Sequence, residues 1–194
     1  DHFSFFNQPF AAEANYHMFW SAIRPLLTDN TDALARLDRI REDFSRVMNQ
    51  ELEAMWAAKL GLISYEKDLV DELLKLMALS KVDYTIFFRQ LSDIPDQIMA
   101  FKKSFYLPSS EQVDAQWVNW LHRWRGCIED SDDLNVTSTR MKRINPKYTW
   151  REWLIAPAYK KAEHGDYTLI KELQAVFSEP YDEQSPETEA KYDR

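Results

Sequence analysis

The chain has 194 residues, of which 45% are hydrophobic and 29% charged, and its formal net charge at pH 7 is −8. This composition fits one folded domain or two small ones and argues against a disordered chain. The acidic balance argues against a general nucleic-acid binder, which needs Lys and Arg to neutralise phosphates, and no apolar run is long enough to span a bilayer.

The chain begins at Asp1, without Met and without a signal-peptide pattern. We therefore expect that a natural N-terminal portion is missing. The first ten residues are aromatic and irregular, and a first helix is predicted over residues 11–27, with Pro25 in or just after its last turn.

The clearest helix is predicted over residues 32–60, with Asn30 or Thr31 as its N-cap and Gly61 as its C-terminal stop. Apolar residues recur along it at steps of three and four, which predicts one continuous buried stripe. We expect the last three members of the stripe to lie in the core. The stripe consists of Leu34, Leu37, Ile40, Phe44, Val47, Met48, Leu52, Met55 and Trp56.

The middle of the chain predicts four further helices. Ser64 is expected to open one, Asp83 to cap a short one, and Pro95 to begin one that ends near Phe105. After a break at residues 108–110, an aromatic stripe predicts a buried helix. Its members are Val113, Trp117, Trp120, Leu121 and Trp124.

Acidic residues 129–133 lack the glycine and the distal glutamate of a calcium loop, so they predict a loop and a helix cap. Helices are then predicted up to Asn145-Pro146, over residues 149–164 with Pro157 inside, and after Asp166. The whole pattern predicts an all-α fold of about eight or nine helices. Residues 1–178 are expected to form a single helical domain, and residues 179–194 a polar, acidic and frayed tail.

Neither a phosphate loop nor a catalytic cluster is visible in the sequence. The three glycines, Gly61, Gly126 and Gly165, stand far apart, whereas a phosphate cradle needs clustered glycine. The four histidines, at positions 2, 17, 122 and 164, do not share a helical face with metal-ligand spacing. We therefore predict no catalytic, no cofactor-binding and no metal-binding residue in this chain.

Three further features have plain interpretations that we favour. Cys127 is the only cysteine, and a small apolar core side chain is favoured over a reactive thiol. Asn135 begins a weak match to a glycosylation acceptor. The only dense basic stretch is favoured as a solvated face or a set of ion pairs over an anion site. It comprises Arg140, Lys142, Arg143, Lys147 and Arg151.

Five strings occur in the chain in a fixed order: FNQPFAAEAN at 6–15, KLGL at 59–62, DYTIFFRQLS at 83–92, RMKRINPKYTWREWL at 140–154 and AEHGDYTLIKELQAVFSEPYDEQ at 162–184. Together they resemble the selenoprotein O (SelO) family of protein adenylyltransferases. The resemblance covers nearly the whole chain but only the C-terminal part of the family's length.

The resemblance implies a kinase-like fold that binds ATP in an inverted pose and transfers AMP to protein hydroxyl groups, using Mg or Mn. The family's nucleotide-binding and metal-binding residues precede the segment Asn7-Gln8-Pro9, so none is carried over to this chain. The chain would then be lower lobe and C-terminal helices, binding neither ATP nor metal alone. Protein substrates are implied as partners, in the cytoplasm of a bacterium or the mitochondrion of a eukaryote.

Two departures from the family pattern stand out. Many members carry a W-N-L string where this chain has Glu13-Ala14-Asn15, and many end with a selenocysteine or cysteine that is missing here. An alternative from another class also stays open, namely a free-standing helical interaction module without enzymatic activity. We also expect a structural role for the segment that begins where the predicted helix stops at Asn145-Pro146. Its residues Asn145, Pro146, Tyr148 and Trp150 should fix a turn in the core.

Overall fold

The structure is a computed structural model, and it describes residues 7–108, 110–129 and 133–193. The expectations for residues 1–6, including His2, and for the acidic residues 130–132 lie outside this part of the chain. The α-helices are α1 (Gln8–Ile23), α2 (Thr31–Lys59), α3 (Lys67–Ser80), α4 (Tyr84–Leu91), α5 (Glu111–Glu129), α6 (Leu134–Lys142), α7 (Glu152–Ala162), α8 (Thr168–Ser178) and α9 (Pro186–Tyr192). Two 3-10 helices cover Arg24–Leu27 and Ile98–Ser104.

The all-α prediction is confirmed over the described residues, where nine α-helices form and the only extended pairing is a single bridge between Val82 and Phe105. Side-chain caps explain several helix starts. Asn30 accepts a hydrogen bond from the amide of Ala33 at 3.0 Å, and Asp83 accepts one from that of Ile86 at 3.1 Å. No helix in the described part of the chain is both long and apolar enough to cross a membrane.

Several predicted boundaries were wrong. Helix α1 begins three residues earlier than expected, because Pro9 fits the first turn of a helix. Helix α3 begins at Lys67 and not at Ser64. The segment after Pro95 forms a 3-10 helix that starts only at Ile98. The helix after Asp166 is not the last one, since α9 follows it.

The chain divides into two compact units, Asp1–Met55 and Trp56–Arg194, and the division falls within α2. In the first unit, α1 and α2 contact each other along one seam. The rings of Tyr16 and Phe44 stack with centroids 4.7 Å apart, and the Trp20 indole N–H donates to Asp38 at 3.1 Å. None of the residues between 7 and 55 is buried.

The predicted stripe of α2 therefore is not a continuous core. Ile40, Val47 and Met55 are exposed, which corrects the expectation that Met55 lies in the core. Trp56 is half-buried and packs against Tyr84 and Phe88. The physical reason is that a stripe becomes a core only where other elements cover it.

The second unit contains a dense aromatic core. Trp117, Trp120 and Trp124 of α5 are fully buried, as the stripe predicted, and their rings follow one another at centroid distances of 5.9 and 6.1 Å. Each indole N–H also has an acceptor: the Ser80 hydroxyl at 2.9 Å, the Leu69 carbonyl at 2.9 Å and the Leu60 carbonyl at 2.8 Å, respectively. The α5 stripe therefore buries its rings without leaving an indole N–H unpaired.

A smaller apolar cluster joins the C-terminal helices. Tyr148, Ala158 of α7, Leu173 and Val176 of α8 and Tyr192 of α9 form it. Burial of Tyr192 holds α9 against the fold, where the sequence indicated only a polar tail. The division into a domain at 1–178 and a tail at 179–194 stays a prediction.

Candidate functional site

A network of polar side chains lies around the turn after α6 in the second unit, and we call it the Asn145 junction. It comprises Lys59, Arg89, Ser92, Asn145, Lys147 and Glu183. Its members come from the end of α2, from α4, from the turn after α6 and from the segment before α9. Segments distant in sequence therefore meet at one place.

Asn145 is completely buried at the centre of this junction. Its amide oxygen accepts a hydrogen bond from Lys59 Nζ at 2.9 Å. Its Nδ2 donates to the Lys59 carbonyl at 2.9 Å and to the Ser92 hydroxyl at 3.0 Å. Both ends of the amide are used, so the side chain fastens the end of α2 to the end of α4.

Lys59 is the least expected member, because lysine is almost never fully buried without a partner of opposite charge. Its Nζ lies 4.6 Å from the centroid of the Phe88 ring and 5.1 Å from that of Tyr84, so the cation faces two aromatic rings. Burial lowers the pKa of Lys59 to about 8. Tyr84 beside it is half-buried, and this burial raises the pKa of its phenol well above the usual value.

Arg89 donates hydrogen bonds to three backbone carbonyl groups. Its Nη1 donates to the carbonyl oxygens of Lys142, Asn145 and Tyr181 at 3.0, 3.1 and 3.0 Å, and its Nη2 donates to Glu183 at 2.5 Å. The fixed fork of the guanidinium suits this multiple contact. One α4 side chain thereby ties the end of α6 to the segment before α9.

Glu183 bridges two cations. One carboxylate oxygen accepts from Arg89 and the other from Lys147, which also donates to Glu189 at 2.8 Å. Burial raises the pKa of Glu183, but the hydrogen bonds from Lys147 and Arg89 outweigh it and hold the pKa below its ordinary value. Burial likewise lowers the pKa of Lys147, and its two carboxylate partners raise it above the usual value.

A second ion pair lies at the start of α4. Asp83 accepts from Arg151 Nη2 at 2.8 Å and from the Tyr106 hydroxyl at 2.6 Å. Burial raises the pKa of Asp83, yet these hydrogen bonds and that of the Ile86 amide bring it below the ordinary value.

Most cations of the basic stretch between residues 140 and 151 make hydrogen bonds or ion pairs within the fold. This agrees with the interpretation that we favoured from the sequence. Arg140 donates to the Gly61 carbonyl at 3.1 Å, and Lys142 pairs with Asp93 at 2.6 Å. Lys147 and Arg151 belong to the ion pairs described above. The stretch therefore supplies cations to the fold, and its charge is largely compensated.

The junction holds backbone segments in place through the hydrogen bonds of Asn145 and Arg89. The described residues hold no group of three or more His, Cys, Asp or Glu side chains that suits a metal ion. The Lys59 amine, whose pKa is strongly lowered, is enclosed by two rings and an amide. The arrangement brings distant segments together and fixes their separation.

Sequence reasoning identified Asn145 and the turn that follows it, but it missed Lys59, Arg89 and Glu183 as its partners. The signal was present in the strings KLGL, DYTIFFRQLS and PYDEQ, which carry these three residues. A string gives the order of residue types along the chain. Which strings contact each other is known only from the folded structure.

Two side chains outside the junction differ from what the sequence suggested. Cys127 is exposed, which corrects the expectation of a core position. In the last turn of α5, the neighbouring Ile128 takes the buried position, because the larger apolar side chain gains more from leaving water. Thr137 of the glycosylation match is completely buried within α6, whereas Asn135, the residue that would carry a glycan, is exposed.

The turn after Asn145 follows its prediction in part. Tyr148 is buried there, as expected. Trp150 is exposed, which corrects the expectation that it lies in the core, and its ring stacks on that of Phe177 with centroids 4.4 Å apart. Since the stack covers the indole from one side only, the ring stays largely in contact with solvent.

The all-α fold and the strings that build the junction agree with a match to a known family. A family model described as "Protein adenylyltransferase SelO" matches residues 1–178. The chain therefore belongs to the SelO family.

Relatives with curated names agree with this assignment. A "Protein nucleotidyltransferase YdiU" from Flavobacterium johnsoniae is 31% identical over 94% of this chain, and one from Xanthomonas campestris pv. campestris is 30% identical over 94%. A protein of the same name from Thioalkalivibrio sulfidiphilus is 36% identical over 97% of the chain. The chain spans only 36%, 36% and 38% of the length of these three relatives.

Proposed function

We propose that this chain is the C-terminal helical segment of a SelO-family protein adenylyltransferase and supports a kinase-like lobe without supplying catalytic residues. In the complete protein, a Ser, Thr or Tyr hydroxyl oxygen of a substrate protein attacks the α-phosphorus of ATP. The bond to the β-phosphate oxygen breaks, pyrophosphate leaves, and the hydroxyl proton passes to a base. ATP and Mg or Mn belong to the part of the complete protein outside this chain.

The observation that carries the proposal is the composition of the Asn145 junction. Four of the five strings that resemble the family contribute to the junction or to the adjacent Asp83–Arg151 pair. Their polar residues contact one another, and Arg89, Lys147 and Glu183 also line a small cavity at the surface. Buried polar networks of this kind favour one arrangement of the segments that they connect. This supports a bracing role.

The expected partners follow from the same proposal. Substrate proteins contact the complete enzyme, and neither nucleic acid nor a membrane is a partner. The compartment is the cytoplasm in a bacterium and the mitochondrion in a eukaryote. The acidic net charge of −8 supports the exclusion of nucleic acid.

The test compares the complete natural protein with this chain. With ATP labelled on the α-phosphate and Mg, the complete protein should label itself or an added protein, while label on the γ-phosphate should leave as pyrophosphate. Calorimetry of this chain with ATP and Mg should show no saturable heat. Label from the γ-phosphate on protein would indicate phosphate transfer, and a micromolar Kd for this chain alone would reveal a nucleotide site in it.

The bracing role has its own test in the complete protein. Arg151→Ala should reduce melting temperature and AMP transfer together, because it removes the guanidinium partner of the buried Asp83. A variant that keeps its melting temperature but loses about 100-fold in transfer has lost about 2.7 kcal/mol of transition-state stabilisation. That result would assign Arg151 a catalytic role.

A further inference from the structure

The first unit presents exposed apolar side chains on both of its helices. On α1, Phe10 is 71% exposed and Met18 is 72% exposed, and on α2 Ile40 is 57% exposed. Val47 is exposed as well, and it follows Ile40 by seven residues, which places both on the same side of the helix. We call these four residues the α1–α2 apolar surface.

Two helices can bury only the seam between them. Tyr16, Trp20 and Phe44 occupy that seam, and even they are only half-buried. The four residues of the α1–α2 apolar surface are exposed, and large apolar side chains exposed in number usually mark a contact site. Most helical stability in proteins comes from packing of an apolar face, so this unit needs a further surface to pack against.

We propose that the α1–α2 apolar surface is an internal interface, covered in the complete protein by a part of the same polypeptide that lies outside these 194 residues. The inference rests on the proposed function, since both require a longer protein. The length of the relatives supports it, because this chain spans only 36% of the Flavobacterium protein and the remainder is available to cover the surface. The occupant is an apolar face of a helix or sheet, and a second copy of this chain is the competing occupant.

Oxidative footprinting with hydroxyl radicals tests the proposal without any activity assay. Met18 lies on the surface in question, and Met99 of the second unit is a matched control with 64% exposure. Met18 should be oxidised severalfold more slowly in the complete protein than in this chain, whereas Met99 should react at similar rates in both. Equal rates for Met18, or equal protection of both methionines, would contradict the proposal.

A pair of substitutions in the complete protein gives a second measurement. Val47→Glu and Asn49→Glu each add one negative charge to α2, and Asn49 is exposed on the side of the helix opposite Ile40. Val47→Glu should lower the melting temperature of the complete protein while Asn49→Glu leaves it nearly unchanged, because only the first buries a charge. In this chain alone, neither should matter. Equal effects of both substitutions in the complete protein would contradict the interface.

Two further outcomes would overturn the proposed occupant. A natural polypeptide with the intact mass of this chain, 23.0 kDa, would leave no further segment to cover the surface. Protection of Met18 that grows with the concentration of this chain would assign the surface to a second copy. A longer protein that protects Met18 but transfers no AMP would leave this inference standing and remove the proposed function.

Discussion

The two units of the chain are built from similar helices but bury them to very different degrees. Helix α1 and most of α2 form a unit in which no described residue is buried, whereas α5 of the second unit buries three tryptophans completely. Both units carry apolar residues at helical spacing. The difference shows that an apolar stripe predicts a helix, while the number of elements packed around it decides whether it becomes a core.

The largest contrast is expected from truncating one aromatic side chain in each unit. Trp120→Ala should lower the free energy of unfolding by about 3–5 kcal/mol, because it removes a fully buried ring and leaves the Leu69 carbonyl without its indole donor. Phe19→Ala on α1 should change it by less than about 0.5 kcal/mol, since that ring is exposed. Urea unfolding followed by circular dichroism measures both, and a large loss for Phe19→Ala would erase the contrast.

The second prediction concerns pH and the buried amine of Lys59. Its pKa is about 8 in the fold and 10.5 in the unfolded chain, so below pH 8 the folded state carries a desolvated charge. Between pH 8 and 10.5 the folded state releases this proton first, and the contribution of Lys59 to the free energy of unfolding should rise by about 3 kcal/mol. The free-energy penalty for burying the charged amine is full below pH 8 and absent above pH 10.5.

Comparison with Lys59→Met isolates the contribution of the Lys59 amine to the pH dependence of stability, because both proteins share the other titrating groups. The unfolding free energy of the wild type relative to Lys59→Met should increase from about pH 7 to about pH 10. A difference that stays constant with pH would mean that the Lys59 amine is solvated in the folded protein.

The third prediction addresses the centre of the junction. Asn145→Ala removes the acceptor of Lys59 Nζ and the donor to the Ser92 hydroxyl, and it should cost about 2–3 kcal/mol, since buried polar groups lose their partners. Asn49→Ala on the exposed side of α2 is the matched control and should change stability by less than about 0.5 kcal/mol. If both variants have the same melting temperature as the wild type, the hydrogen bonds of Asn145 do not hold the segments together.

The smallest expected effects come from the glycines. Gly61 has φ of +71°, and a Cβ there would lie 2.6 Å from Met141 Sδ, so Gly61→Ala should cost about 1–3 kcal/mol. Gly126 lies within α5 and a Cβ there would meet nothing within 4 Å, so Gly126→Ala should stabilise the protein by about 0.5–1 kcal/mol. Thermal melts of the two variants should therefore shift in opposite directions, and a shared direction would contradict the packing described at Gly61.

Much of the local structure is predictable from the sequence alone. Asn30 and Asp83 cap their helices through contacts with amides three residues away, and Gly61 ends α2 because a residue without Cβ readily adopts a positive φ. The aromatic stripe of α5 is likewise buried as predicted. These features depend on residues within one or two helical turns, so spacing and residue type are enough to find them.

Family membership was also available from the sequence, because it depends on the order and spelling of strings such as KLGL and RMKRINPKYTWREWL, which lie within the matched residues 1–178. The prediction that no catalytic, cofactor-binding or metal-binding residue lies in this chain stays a prediction.

Only the tertiary structure decided the pairings over long separations. Asn145 contacts Lys59 across 86 residues, and Arg89 contacts Glu183 across 94. It also decided that Met55 and Cys127 are exposed and that α9 docks through Tyr192. Local patterns specify which side of a helix is apolar, but burial depends on which other segments pack against that side. Those segments are distant in sequence, so a local pattern does not predict the contacts.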